Sequence, residues 1–225
     1  MQNLLELCEK HDLDGVDFDW ESPMSESQLS AYVRLLHEAH ATFSQRGLVT
    51  SVALHPGQTL GPGGFLAVDR VHLMAYDMSF QRGGGHHADY GAVKAAVQQA
   101  IGRADVPPEK LVVGIPAYAR HGEDLPAVKS YAEIVDMMAG EGGDDDGKPL
   151  AERLDPAFKA RNEYEGYLYD CVLSAQRKTA WAKSMGLAGV FIWEVGQDKV
   201  EPHVSLTEGV MAVGNGTKEV REAVL

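Results

Sequence analysis

Cysteine is nearly missing: Cys8 and Cys171 are the only two among 225 residues. That scarcity excludes a disulfide framework and any zinc site built from cysteines. Positive charge is also thin, with 20 Lys and Arg against 33 Asp and Glu, a formal net charge of −13. Nucleic-acid backbones and anionic membranes are bound by clustered basic side chains that displace counterions, so neither is expected as a partner. No apolar run approaches the roughly 20 residues that cross a bilayer. The opening Met1-Gln2-Asn3-Leu4-Leu5-Glu6 has no basic segment leading into an apolar one, so no signal peptide is visible. Localisation therefore stays open from these residues. What is present is ordinary, about 44% apolar and 24% charged residues. That suffices for a sizeable core, in one large domain or two small ones. No internal repeat is found.

Five short runs rich in β-branched and aromatic residues predict strands: Gly15 to Trp20, Leu48 to Leu54, Val71 to Tyr76, Leu111 to Ile115 and Gly189 to Trp193. Several are near-continuous apolar stretches, as in parallel strands covered on both faces. Helical patterns lie between them. Ser25 and Gln28 form a capping box ahead of Leu29, Tyr32, Val33, Leu36, Ala39, His40 and Phe43, with Gly47 placed to end the run. Further helices are expected over residues 1–10, 92–101 and 171–185. Asp89 is expected to start the second of these rather than to bind a ligand. Alternating helix and strand predicts a parallel α/β architecture with right-handed crossovers.

Two stretches interrupt that rhythm. Residues 55–70 contain Pro56, Gly57, Gly61, Pro62, Gly63 and Gly64 and leave little room for a crossover helix. Residues 119–170 form a longer excursion that includes the acidic, glycine-rich segment 140–147. Asp144, Asp145 and Asp146 could hold a cation, but they lack the ligand spacing of a calcium site, and a solvated loop tip is the expected reading.

The most informative stretch is Asp14-Gly15-Val16-Asp17-Phe18-Asp19-Trp20-Glu21. Asp and Glu are poor strand residues, yet Asp17, Asp19 and Glu21 recur at every second position and so share one face. In a parallel barrel that face points inward, while Val16, Phe18 and Trp20 opposite call for burial. Three crowded acids cannot all ionise cheaply, so one is expected to hold a proton near neutrality. Glu21, at the C-terminal end of the strand, is placed to act as a general acid. The competing readings are a metal site or a solvated edge strand. His55, His86 and His87 have no partner spacing that supports a metal, and none is expected.

The segment DGVDFDWE resembles the DxxDxDxE signature of family 18 glycoside hydrolases, the chitinases and their relatives. Met74-Ala75-Tyr76-Asp77 is similar to the family's M-x-Y-D. Gly114-Ile115-Pro116-Ala117-Tyr118-Ala119-Arg120 resembles its G-x-P-x-Y-G-R, with Ala119 in place of the usual Gly, and Gly189 to Glu194 resembles its last strand. The resemblance implies a TIM barrel and hydrolysis of β-1,4 bonds in chitin or N-acetylglucosamine oligosaccharides, with no cofactor. It makes Glu21 the acid, with Asp19 holding the substrate's acetamido N–H and Asp17 buffering the Asp19 proton. Tyr76 would orient the acetamido oxygen, Asp77 and Met74 would belong to the sugar site, and Trp193 would form its apolar floor. Tyr118 is balanced between cleft wall and core.

The resemblance also carries a departure. A full barrel has eight strand–helix units in about 250 residues, whereas here the strand-four motif begins at residue 14. Residues 1–213 are thus expected to form strands four to eight, a partial (β/α)8 barrel with the 119–170 insertion after strand seven and a tail over 214–225. Two alternatives stand beside a chitinase: a carbohydrate-binding remnant with little activity, and an endoglycosidase acting on N-glycans. Most relatives act outside the cell, which is the analogy for a complete gene product. An open sheet exposes edge strands and apolar surface. The expected behaviour of the isolated 225-residue chain is aggregation or dimerisation with little hydrolysis. Size-exclusion chromatography showing a compact, active monomer is the opposite outcome.

Overall fold

The computed structural model describes residues 1–21, 25–61, 63–124, 126–140 and 147–216, with the side chain of residue 81 excepted. In chain order the first elements are α1 (Gln2–His11), β1 (Gly15–Phe18), α2 (Glu26–Phe43), β2 (Val49–Leu54) and β3 (Arg70–Leu73). They are followed by α3 (Ser79–Arg82), α4 (Tyr90–Arg103), β4 (Leu111–Pro116), β5 (Tyr118–His121) and β6 (Val128–Ser130). The chain continues through α5 (Tyr131–Gly140), α6 (Leu150–Arg153), β7 (Glu163–Tyr164) and β8 (Tyr167–Leu168). It ends with α7 (Val172–Ser184), β9 (Gly189–Trp193) and α8 (Leu206–Gly214). All five strands expected from the sequence are present, and between β2 and β3 the described helical structure is a short 3₁₀ turn at Gly64–Ala67. The acidic cluster 144–146 lies outside the described residues.

Two compact units are formed, the first from residues 1–74, 95–113 and 186–188, the second from 75–94, 114–185 and the described residues from 189 onward. In the first, β1, β2, β3 and the start of β4 pair in parallel. Hydrogen-bonded neighbours follow the order β1-β2-β3-β4-β9. β2 is buried from Thr50 to Leu54, as a strand covered on both faces must be. Gly15 is required where β1 starts, because a Cβ there would collide with the Val49 carbonyl across the pair.

The helix α2 forms where the pattern predicts. The Ser25 Oγ accepts the Gln28 N–H at 3.2 Å and donates to Gln28 Oε1 at 3.1 Å. The helix gives way to a 3₁₀ turn that Gly47 closes at φ 70°. Its buried face carries Tyr32, Leu36, Ala39 and Phe43 at helical spacing. Ala39 and Phe43 pack with Leu5 of α1 and with Val16 and Phe18 of β1. Burying a side chain of the size of Leu36 or Phe43 stabilises by roughly 1.5–3 kcal/mol.

The excursion after β4 is structured in the second unit. β5, β6, β7 and β8 form an antiparallel sheet in the order β6-β5-β8-β7. Ala117, Ala119, Ile134, Val135, Tyr131 and Tyr169 share one core with α5, β5 and the start of α7. Ala119, which stands where the family has Gly, is fully buried there. The N-terminus of α7 is capped by Cys171, whose Sγ accepts the Ser174 N–H at 3.4 Å.

α7 also holds a buried cation. Lys178 donates to the Asp170 carboxylate and, at 2.5 Å, to the Ala88 carbonyl, and both charged side chains are 1% exposed. Removing one partner leaves an uncompensated charge away from water, which costs about 3–5 kcal/mol. Lys178→Ala is therefore expected to lower stability by about that amount in urea unfolding, whereas Lys178→Met combined with Asp170→Leu recovers most of the loss. Equal losses in the single and double variants would show that packing, not charge pairing, decides.

Candidate active site

The acid row belongs to the first unit. Asp17 lies on β1 directly opposite Ser51 of β2. The Ser51 hydroxyl donates to Asp17 Oδ1 at 2.5 Å, and His72 Nδ1 of β3 lies 2.9 Å from the same oxygen. Burial alone would raise the Asp17 pKa, but the hydrogen bonds from His72 and Ser51 and the charge of His72 hold it below the ordinary carboxylate value. For Asp19 the direction is opposite. Burial raises it, repulsion from Glu21 and Asp17 adds to that, and His55 only partly offsets them.

One member of the row is thus pushed toward the protonated form, as crowding predicts, and it is Asp19. Glu21 follows the strand, with its Oε2 3.0 Å from His55 Nε2. The expectation of a row sealed in a low-dielectric interior is not met. The Glu21 side chain is 55% exposed, Asp17 is 38% exposed, and Trp20 on the opposite face retains 39% exposure. Among the described residues β1 ends the strand order, with β2 as its hydrogen-bonded neighbour, so its residues lack cover from a second strand. Met74 is buried, its N–H bonded to the Leu54 carbonyl at 2.9 Å, so its side chain serves the core.

A second group lies in the second unit. Tyr76 is buried, its ring edge-on to Tyr118 at 6.1 Å and to Phe191 at 6.3 Å. Asp77 adopts φ 59°, a left-handed conformation that a non-glycine residue holds only when its surroundings compel it. The compulsion is a dense network. Arg120 grips the carboxylate with two nitrogens, Nε on Oδ1 and Nη2 on Oδ2, the latter at 2.7 Å. His87 Nδ1 stands 3.2 Å from Oδ1, and Tyr118 also bonds the carboxylate. Burial would raise the Asp77 pKa, but the bonds from Arg120, His87 and Tyr118 carry it far below the ordinary value. Tyr118 is itself buried, and burial followed by the Asp77 charge pushes its phenol pKa up. It stays a neutral donor.

Trp193, at the end of β9, is 49% exposed, with its carbonyl accepting the Ala117 N–H at 2.7 Å. In the loop beyond, Asp198 caps α8 by accepting the N–H groups of Leu206 and Thr207 at 2.9 and 2.8 Å.

No motif in the sequence marks Ser51, His72 or Gln58, and Arg120 stands there only as the end of a motif, with no role. Ser51 and His72 are polar residues inside apolar strands, which is the one signal that marks them. His55 and His87 read from the sequence as metal-ligand candidates without supporting spacing. Among the described residues no three His, Cys, Asp or Glu side chains gather as an ion site.

The Asp77 network makes a pH prediction. A carboxyl whose folded pKa is depressed contributes stability that is fully present above the unfolded value, about 4, and is lost as pH falls through the folded value. Asp77→Asn is expected to destabilise by about 2 kcal/mol, less than for a fully buried pair because Asp77 is 32% exposed. In urea unfolding that difference should be constant between about pH 5 and 7 and shrink below about pH 4. A difference that grows toward acid pH would contradict the network.

Comparison with known proteins places the chain. The family model described as Glycosyl hydrolases family 18 matches residues 1–198. The class V chitinase CHIT5 of Lotus japonicus is 27% identical over 88% of this chain and 60% of its own length. The chain thus spans well under two thirds of that curated relative. The crystal structure of a chitinase from Bacteroides thetaiotaomicron superposes with a TM-score of 0.77 at 17% identity, over 98% of this chain and 70% of that one. A family 18 chitinase from Cycas revoluta in complex with (GlcNAc)3 superposes with a TM-score of 0.68 at 21% identity, over 93% and 69%. These likenesses show an α/β, TIM-barrel-like fold. With the family model covering residues 1–198, the chain belongs to glycosyl hydrolase family 18.

Proposed function

We propose that this protein hydrolyses β-1,4 bonds between N-acetylglucosamine units, in chitin or its oligosaccharides, by substrate-assisted retaining catalysis. The observation that carries the proposal is the geometry of the acid row, with Asp17 held by Ser51 and His72 and Glu21 meeting His55 at 3.0 Å. Family 18 stands apart from the two-carboxylate scheme because the substrate supplies its own nucleophile. Glu21 protonates the glycosidic oxygen. The 2-acetamido oxygen then attacks the anomeric carbon, giving an oxazolinium ion and retaining configuration after water opens it. Asp19, whose pKa burial and the charges of Glu21 and Asp17 raise, meets the acetamido N–H. Asp17, anchored by Ser51 and His72, buffers the proton of Asp19.

In the same proposal Tyr76 orients the acetamido oxygen, and Asp77, Met74, Tyr118 and Trp193 belong to the sugar site. The exposed indole of Trp193 suits an apolar sugar face. For Met74, Asp77 and Tyr118 the proposal means support of that site, since Met74 and Tyr118 are buried and Asp77 is committed to Arg120 and His87. The parallel strands β1, β2, β3, β4 and β9 are read as strands four to eight of the family barrel, because the motifs fall on them in that order.

A second reading, a carbohydrate-binding protein with little activity, is favoured by the exposure of Glu21. General acids contribute about a hundredfold or more. Turnover of a chromogenic chitobioside by the chain is expected to fall by about that factor in Glu21→Gln. Equal background in both, with retained binding of N-acetylglucosamine oligosaccharides, would support the binding protein instead.

A further inference from the structure

We infer that His55 is a positioning residue for Glu21, selecting which carboxyl oxygen carries the proton given to the sugar link; this rests on the reading of Glu21 as the acid. The histidine is built into a tight turn, His55-Pro56-Gly57-Gln58. Pro stands second, Gly57 stands third at φ 89°, and the Gln58 N–H closes the turn on the His55 carbonyl at 3.1 Å. That is the residue pattern of a type II turn. Gln58 then ties two chain segments together. Its Oε1 accepts the His55 N–H at 2.6 Å, and its Nε2 donates to the Glu21 carbonyl. One side chain therefore fixes the backbone of both the histidine and the acid, and the imidazole Nε2 meets Glu21 Oε2 at 3.0 Å.

The chemistry follows from what a carboxylic acid is. One oxygen carries the proton and the other is a carbonyl acceptor. A His55 Nε2–H aimed at Oε2 makes Oε2 the acceptor and leaves the proton on Oε1. When Oε1 gives its proton to the glycosidic oxygen, the bond from that oxygen to the anomeric carbon breaks. Its electron pair stays on the leaving oxygen, and Glu21 becomes a carboxylate. The His55 bond then becomes charge-assisted and strengthens as the reaction proceeds, which is the condition for lowering a barrier rather than merely binding. When water opens the oxazolinium ion, Glu21 takes the water's proton back and the cycle closes. The acidic neighbours of His55 are Glu21, which it contacts, and Asp19. The other histidine of the row, His72, is engaged with Asp17.

The test compares His55→Phe and His55→Gln with the unaltered full chain on a chromogenic chitobioside, with melting temperature recorded for each. Loss of the donor in His55→Phe is expected to lower kcat by about ten- to a hundredfold while KM stays within about twofold. His55→Gln keeps an N–H at that reach and is expected to recover to within about threefold of the unaltered chain. Equal kcat in all three overturns the inference, as does an equal fall in both variants. A second readout does not depend on turnover. In 15N-histidine spectra of the unaltered chain, the His55 Nε2 should be the protonated nitrogen, and its signal should move in Glu21→Gln. An Nδ1–H tautomer, or a signal indifferent to Glu21→Gln, overturns the inference even if hydrolysis is found. No turnover by the unaltered chain would fail the functional reading alone, with the spectra still deciding the contact.

Discussion

Asp17 accepts two hydrogen bonds on one oxygen, from Ser51 and His72, and the rest of the acid row depends on that arrangement. The donors come from the two strands that follow β1 in the sheet, so parallel pairing of β1, β2 and β3 is what brings them together. Burial raises the Asp19 pKa first, and the charges of Glu21 and Asp17 add to it, while hydrogen bonds hold Asp17 below its ordinary value. A row of identical chemical groups is thereby differentiated by its surroundings. Spacing alone could not say in which direction each member shifts.

Asp77 shows the same balance as Asp17, carried further. Both are partly buried, and at Asp77 the Arg120 fork with His87 and Tyr118 outweighs desolvation by far. The left-handed backbone at Asp77 persists because that network over-determines its position. A residue so committed is better suited to holding a wall than to following a substrate. The buried Lys178–Asp170 pair is polarity concealed from the linear pattern, held by hydrogen bonds away from water.

The turn at residues 55–58 links local chemistry to the site most directly. Pro56 and Gly57 predispose the chain to reverse there, and the reversal sets His55 and Gln58 against Glu21. The proline–glycine pair reads from the sequence as an obstacle to a crossover helix. What it accomplishes is visible only once β1 and β2 lie side by side.

Local order alone determined much of this protein. The five strands, the capped α2, the Gly47 stop, the start of α4 at Asp89 and the acid row all follow from periodicity, propensity and capping. Those depend on residues within a few positions of one another, and the motifs that mark family 18 are equally local. Tertiary structure decided what depends on distant residues. Glu21 meets His55 and Asp17 meets His72 across strands, and the described part of the 119–170 excursion supplied an antiparallel sheet and α5 to a core shared with α7. The exposure of the acid row was likewise settled by β1 standing at the end of the strand order. Burial, electrostatic neighbours and hydrogen-bond partners are properties of space, and a linear pattern carries them only where space and sequence coincide.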